Sequence, residues 1–141
     1  MTAITYRQQL EAYAWKKYQI EPEQLPFNHE DYSVLRHPKN GKWFAVFIVK
    51  TRREFGLAGE GITEIVSVKT RDPFLVDTLA KQPGFLRGFP SSGWNWLSVV
   101  LDGTVPIEDI YHFLDESYQI TKNKTGNQNT PLLKRKEALS D

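Results

Sequence analysis

A chain of 141 residues with 40 % apolar side chains, 13 % aromatic ones and a net charge of +1 has the size of one domain and enough apolar surface for one core. It contains no cysteine, which excludes a disulfide framework, a thiolate nucleophile and any Cys-ligated metal. It has no apolar run approaching the roughly eighteen residues of a membrane span, and the opening MTAITYRQQLEAYAW lacks an uninterrupted apolar signal segment, so the chain reads as cytoplasmic with no membrane partner.

In chain order, Tyr6, Leu10, Tyr13, Ala14 and Lys17 follow three-and-four spacing and predict a helix from about Thr5, its N-cap, to about Tyr18. Pro22 and Pro26 make the next segment a loop. Ser33 to Pro38 and Lys42 to Lys50 flank an Asn40-Gly41 turn and predict a β-hairpin, because both turn residues tolerate positive φ. Its second strand, Trp43 to Val49, is apolar on both alternations, as expected of a strand covered on both faces inside a sheet. The glycine-rich Gly56-Leu57-Ala58-Gly59-Glu60-Gly61 leads into a strand over Ile62 to Thr70, and Asp72-Pro73 opens a helix that ends before Gln82-Pro83-Gly84. Residues 85–93 are extended or looped, Trp96 to Leu101 is a strand, and Pro106 to Tyr118 is a helix with Glu108 and Asp109 in its first turn, where they suit the dipole.

Hairpin-linked strands with helices at the ends and between them predict an α+β fold: a two-layer sandwich of a mostly antiparallel sheet and three helices. Residues 1–121 form this domain. Residues 122–141 are polar and basic apart from Leu132-Leu133 and read as a flexible, loosely attached tail.

Several of these segments, in this order, resemble the MmcQ/YjbR family over about residues 1–121: Lys42-Trp43-Phe44-Ala45 starting a strand, Val68-Lys69 before Asp72-Pro73, Trp96 in a strand ending Leu101-Asp102-Gly103, and Val105-Pro106 opening a helix that closes with Ser117-Tyr118. The resemblance implies a CyaY-like two-layer fold and, through likeness to double-wing DNA-binding modules, weak and non-specific DNA binding. The chain departs from the family pattern at Ser91-Ser92-Gly93-Trp94-Asn95-Trp96, where members carry a basic residue and a histidine before the strand tryptophan.

Residues offering chemistry are few. His29, His37 and His112 are scattered, without HExxH spacing or acids at ligand spacing, so neither a catalytic base nor a metal site is expected. Ser91-Ser92-Gly93 lacks the first glycine of a nucleophile elbow, and the Gly56–Gly61 loop precedes a strand rather than the helix a phosphate cradle needs. No enzyme activity and no cofactor are expected. Charge is the better lead. Of the 18 basic and 17 acidic side chains, five and two fall in residues 122–141, leaving 13 and 15 in residues 1–121. Within that slightly acidic part, residues 32–53 hold Arg36, Lys39, Lys42, Lys50, Arg52 and Arg53 without one acid. These are the candidate nucleic-acid contacts, in two clusters about 25 to 35 Å apart along an extended strand. The alternative is that they gate the ends of a very apolar strand for solubility. Trp94 and Trp96 project on one face of a strand and either offer rings to a base or planar ligand or divide between core and rim. Three readings follow: a non-catalytic DNA- or polyanion-binding module, an adaptor or homodimer using the apolar strand or the tail to meet a protein partner, and, ranked last, a small-molecule enzyme.

Overall fold

The computed structural model describes residues 4–25, 32–91 and 95–122. Helix α1 (Tyr6–Tyr18) starts in a reciprocal capping box: the Gln8 N–H donates to the Thr5 hydroxyl at 3.1 Å and the Thr5 N–H donates to Gln8 Oε1 at 2.9 Å, giving partners to donors that a helix start leaves open. Leu10 and Ala14 are its buried side. Strand β1 (Glu23–Gln24) follows inside the segment read as loop. Its two exposed side chains give no periodic signal, and only its backbone pairing with the next strand defines it.

β2 (Tyr32–Arg36) and β3 (Trp43–Thr51) form the expected hairpin. Its turn is wider than an Asn-Gly dipeptide suggests. Only Gly41 takes a positive φ, 74°. The loop closes through His37 N–H to Lys42 O at 2.9 Å and Gly41 N–H to His37 O at 2.8 Å, which draws His37 and Pro38 out of the strand. β4 (Ile62–Lys69) leads to α2 (Pro73–Leu79), where the Phe74 N–H donates to Asp72 Oδ1 at 2.9 Å and Pro73 occupies the first turn. β5 (Phe85–Leu86), β6 (Trp96–Val100) and α3 (Ile107–Lys122) complete the chain. α3 runs a turn beyond Tyr118, because its last residues are held by the hairpin turn, as described below.

All pairings are antiparallel, in the order β1-β2-β3-β4-β6-β5. β3 therefore lies inside the sheet, and its side chains from Phe44 to Ile48 are fully buried. One face, with Ala45, Phe47, Val66, Val68 and Val99, packs on Leu10 and Ala14 of α1 and on Ile110 and Leu114 of α3. The other, with Val34, Val46, Ile48, Ile65 and Val100, packs with Leu86 of β5 and with Phe55, Leu57 and Phe89 from the connections. Double coverage is why β3 shows no polar alternation. At its start a register shift opposite Leu35 and Arg36 turns Phe44 to the helix side beside Ala45 and sends Trp43 to the other face, as a β-bulge does. The bulge leaves ladder groups to be satisfied from elsewhere: the Ser117 hydroxyl of α3 donates to Phe44 O at 2.5 Å and accepts from the Lys69 N–H at 2.9 Å.

Trp96 is only 8 % exposed, packed in the second cluster with Lys69 Nζ 5.2 Å from its ring centroid. It is a core residue, which corrects its reading as a surface aromatic. Burying a large ring removes more apolar area from water than any stacking partner at a rim could offer. Trp94, His29, Ser92, Gly93 and residues 123–141 lie outside the described residues.

Candidate nucleic-acid interface

The β2–β3 turn is fastened to the end of α3. Asn40 organises it from within, Oδ1 accepting the Lys42 N–H at 2.8 Å, while its Nδ2 donates to Thr121 O at 2.9 Å and to Lys122 O at 3.3 Å. Those are carbonyls that a helix C-terminus leaves open. His37 is buried beside it. Its Nε2 lies 2.7 Å from Thr121 Oγ1, and its ring stacks on Tyr118 at 4.6 Å and tilts against Phe44 at 4.9 Å. Burial pushes the imidazole below the ordinary histidine range, the Tyr118 carbonyl partly opposes this, and the nearby Lys122 and Lys42 add to the lowering.

The six basic candidates separate into two settings. At the turn end, Arg36 is paired with Glu23 at 3.0 Å, Lys39 is exposed and Lys42 is half-buried. At the other end of β3, Lys50 lies 5.6 Å from the Tyr32 ring centroid and Arg53 is exposed. Arg52 is committed to the loop it belongs to: Nε donates to Ala58 O at 2.5 Å, and Nη1 is 3.9 Å from Asp102. This end is also mixed in sign. Glu54 accepts the Thr51 N–H at 3.0 Å, which holds its carboxyl below the usual range, and exposed Glu60 follows. The structure therefore keeps the two clusters apart and makes the far one structural in part.

The turn end gains cations that sequence proximity does not supply. Lys122, on the last turn of α3, lies beside the turn, and among the described residues no ion pair engages Lys39 or Lys122. Lys69 ends β4 at the same edge, since Ala45 pairs with Val68. The antiparallel register of β3 and β4 is the signal that would have placed Lys69; nothing in the sequence pairs the turn with residue 122. Acids near this edge include exposed Glu21, which the antiparallel register of β1 and β2 sets beside Arg36, Glu23, engaged by Arg36, and Glu116, which accepts the Arg71 N–H at 3.2 Å. Lys69 lies over Trp96 on the other face of the sheet, and the cations of the turn and the helix end, Lys39, Lys42 and Lys122, suit a chain of phosphates, which is read by charge and spacing.

Elsewhere, a cleft of about 510 Å³ runs along α1, lined by Ile4, Gln9, Ala12, Tyr13, Lys16 and Tyr111. It offers a ring shelf and one amine but no acid–base pair. No group of three potential metal ligands occurs among the described residues, and no helix there is long and apolar enough to cross a membrane.

The family model for YjbR matches residues 16–120. The chain belongs to the YjbR family. The match takes in the whole sheet and nearly all of α3, including the Ser117 bridge and the turn that α3 holds. The uncharacterized protein YyaQ of Bacillus subtilis (strain 168) is 30 % identical over 107 residues, covering 76 % of this chain and 90 % of that protein. A crystal structure of a Pseudomonas syringae protein superposes with a TM-score of 0.76 at 31 % identity, covering 82 % of this chain and 98 % of that one. The Deinococcus radiodurans protein DR2400 matches with a TM-score of 0.62 at 20 % identity over 87 % of this chain and 83 % of its own, a likeness of fold alone. YjbR membership thus carries the α+β fold of this chain.

Proposed function

We propose that this YjbR protein is a non-catalytic cytoplasmic module that binds a nucleic-acid backbone, weakly and without sequence preference, on the turn end of its sheet. The observation that carries this reading is the attachment of the β2–β3 turn to α3, which sets Lys39 and Lys42 beside Lys122. Residues 122–141, with five basic and two acidic side chains, start from the same point. Base readout needs side chains aimed at groove edges from an inserted helix or strand. Here the cations stand on a turn and a helix end, and Trp96 is buried, so neither groove readout nor base stacking is offered by them.

Titration of a mixed-sequence duplex at low salt tests this. Binding is expected with Kd on the order of tens of micromolar, weakening with salt at a log–log slope of about −0.9 per phosphate contacted. The triple reversal Lys39→Glu, Lys42→Glu, Lys122→Glu is expected to lower both affinity and slope, and Lys50→Glu with Arg53→Glu to do so less. No binding by the intact protein, or equal binding by the triple variant, rejects the reading.

A second reading, a protein-partner adaptor, is favoured by one surface. Phe74 is 78 % exposed and Leu75 37 % exposed on α2. The doubly apolar β3 is enclosed on both faces, so a partner would meet α2 or residues 123–141, not that strand.

A further inference from the structure

We infer that His37 couples polyanion binding to proton uptake: it is the positioning residue of the turn-end surface, and binding of phosphates over Lys42 and Lys122 draws a proton onto its imidazole. The inference rests on the nucleic-acid reading above. Its basis is the geometry of the latch. His37 is 4 % exposed and, with Asn40, is one of the side chains through which the turn meets the last turn of α3. The Thr121 hydroxyl has helix carbonyls for its own hydrogen, Ser117 O at 2.7 Å and Tyr118 O at 3.2 Å. Its lone pair is then free to accept from His37, so Nε2 carries the hydrogen in the neutral ring.

The groups around the ring pull in opposite directions. From α3 come Thr121, Tyr118 and the cation of Lys122, whose Nζ lies 5.9 Å from the Tyr118 ring centroid; from β3 come Phe44 and the cation of Lys42; from α1, Tyr18 packs on Phe44 and Tyr118, and its hydroxyl donates to Asp115. Among these, Asp115 is occupied by Tyr13, Tyr18 and Lys17 and does not serve His37. Burial and two lysines disfavour the imidazolium, whereas the carbonyls and negative dipole end at the C-terminus of α3 favour it. Burial is the largest of these influences, so the free ring is held on the neutral side. A phosphate chain over Lys42 and Lys122 offsets the repulsion of those two lysines, while burial and the favourable influence of the helix end stay in place. By reciprocity, acidification then strengthens binding.

The experiment follows the His37 ring resonances by NMR from pH 8 to 5, without and with a saturating mixed-sequence duplex, and measures duplex affinity at pH 7.5 and 5.5 for the intact protein and for His37→Gln. Glutamine is neutral and keeps an amide able to donate to Thr121, and it leaves His29 and His112 to report any general effect of acid. The expected result is that His37 titrates below the ordinary value in the free protein and higher with duplex bound. Affinity should rise roughly fivefold or more on acidification, the low end of site–site coupling, and the variant should lose most of that rise while keeping its salt slope at pH 7.5. A purely structural latch would lower affinity at both pH values without altering their ratio. Duplex binding with an unmoved His37 titration, or with the same pH ratio in both proteins, overturns the inference and leaves the nucleic-acid reading standing. No duplex binding at either pH overturns both. Should His37→Gln not fold, the ring titration of the intact protein decides alone.

Discussion

Ser117 shows how much one small side chain decides in this protein. Its hydroxyl donates to Phe44 O and accepts the Lys69 N–H, both at the bulge that starts β3, and it is fully buried. Ser117→Ala strands a buried carbonyl and a part-buried N–H, for which about 1–3 kcal/mol of stability is expected to be lost in urea unfolding; a loss below about 0.5 kcal/mol would mean that water or a backbone shift replaces the hydroxyl. Asp115 plays a similar part between helices. It accepts from Tyr13 at 2.7 Å, from Lys17 at 3.0 Å and from Tyr18, while Tyr13 stacks on Tyr111 at 4.1 Å. Burial pushes its carboxyl up, but the donors of Tyr18, Tyr13 and Lys17 outweigh burial and hold it below the usual range. A depressed folded value means that the stability it adds is present above the unfolded value near 3.8 and is lost as pH falls through the folded one. Asp115→Asn is expected to lower stability at pH 7 by about 1–2 kcal/mol and to flatten its fall between about pH 4 and the folded value. Equal acid profiles for the two proteins would remove Asp115 from the account.

Among the elements, connections set the fold as firmly as strands do. Gly84 closes the approach to β5 with a φ of 90°, and a Cβ there would lie 2.7 Å from Val105 Cγ2 and 3.1 Å from Thr104 Cγ2. Its carbonyl accepts the Val100 N–H at 2.8 Å, so the loop cannot shift without breaking the pairing with β6. Gly84→Ala combines left-handed strain with overpacking and is expected to cost roughly 2–4 kcal/mol. Gly88, with a φ of 100° but nothing within 4 Å of a Cβ, is the control: Gly88→Ala should show the strain part alone, and equal losses at the two sites would refute the packing argument. The β2–β3 turn is the functional counterpart. Asn40 and His37 give it a fixed seat on α3, and a surface for phosphates needs its cations held at a set spacing before the ligand arrives.

For the molecule as a whole, β3 is the structural axis, paired with β2 and β4 and covered on both faces. Its amides from Ala45 to Ile48 are expected to exchange only through global opening and to report the full unfolding free energy, in contrast to those of edge strands β1 and β5. Hydrogen exchange measured by NMR checks this, and fast exchange within Ala45–Ile48 would contradict the sheet order.

The sequence by itself determined the helices, the hairpin, the interior place of β3 and the α+β class, because capping residues, periodicity and apolar character act over a few neighbouring residues. Thr5 and Asp72 cap where expected, and the glycine of Asn40-Gly41 turns the chain, since these effects need only local backbone geometry. The sequence also showed that Arg36 to Arg53 are basic and acid-free, but charge on a list of residues has no position in space. Only the tertiary structure decided that Arg36 meets Glu23, that Arg52 braces its own loop, that Trp96 is core and that α3 runs on to Lys122 at the hairpin turn. These outcomes depend on contacts between segments as far apart as Asn40 and Lys122, and such contacts form when a buried edge finds partners for its carbonyls and N–H groups, a condition set by the whole packed chain and by no stretch of it alone.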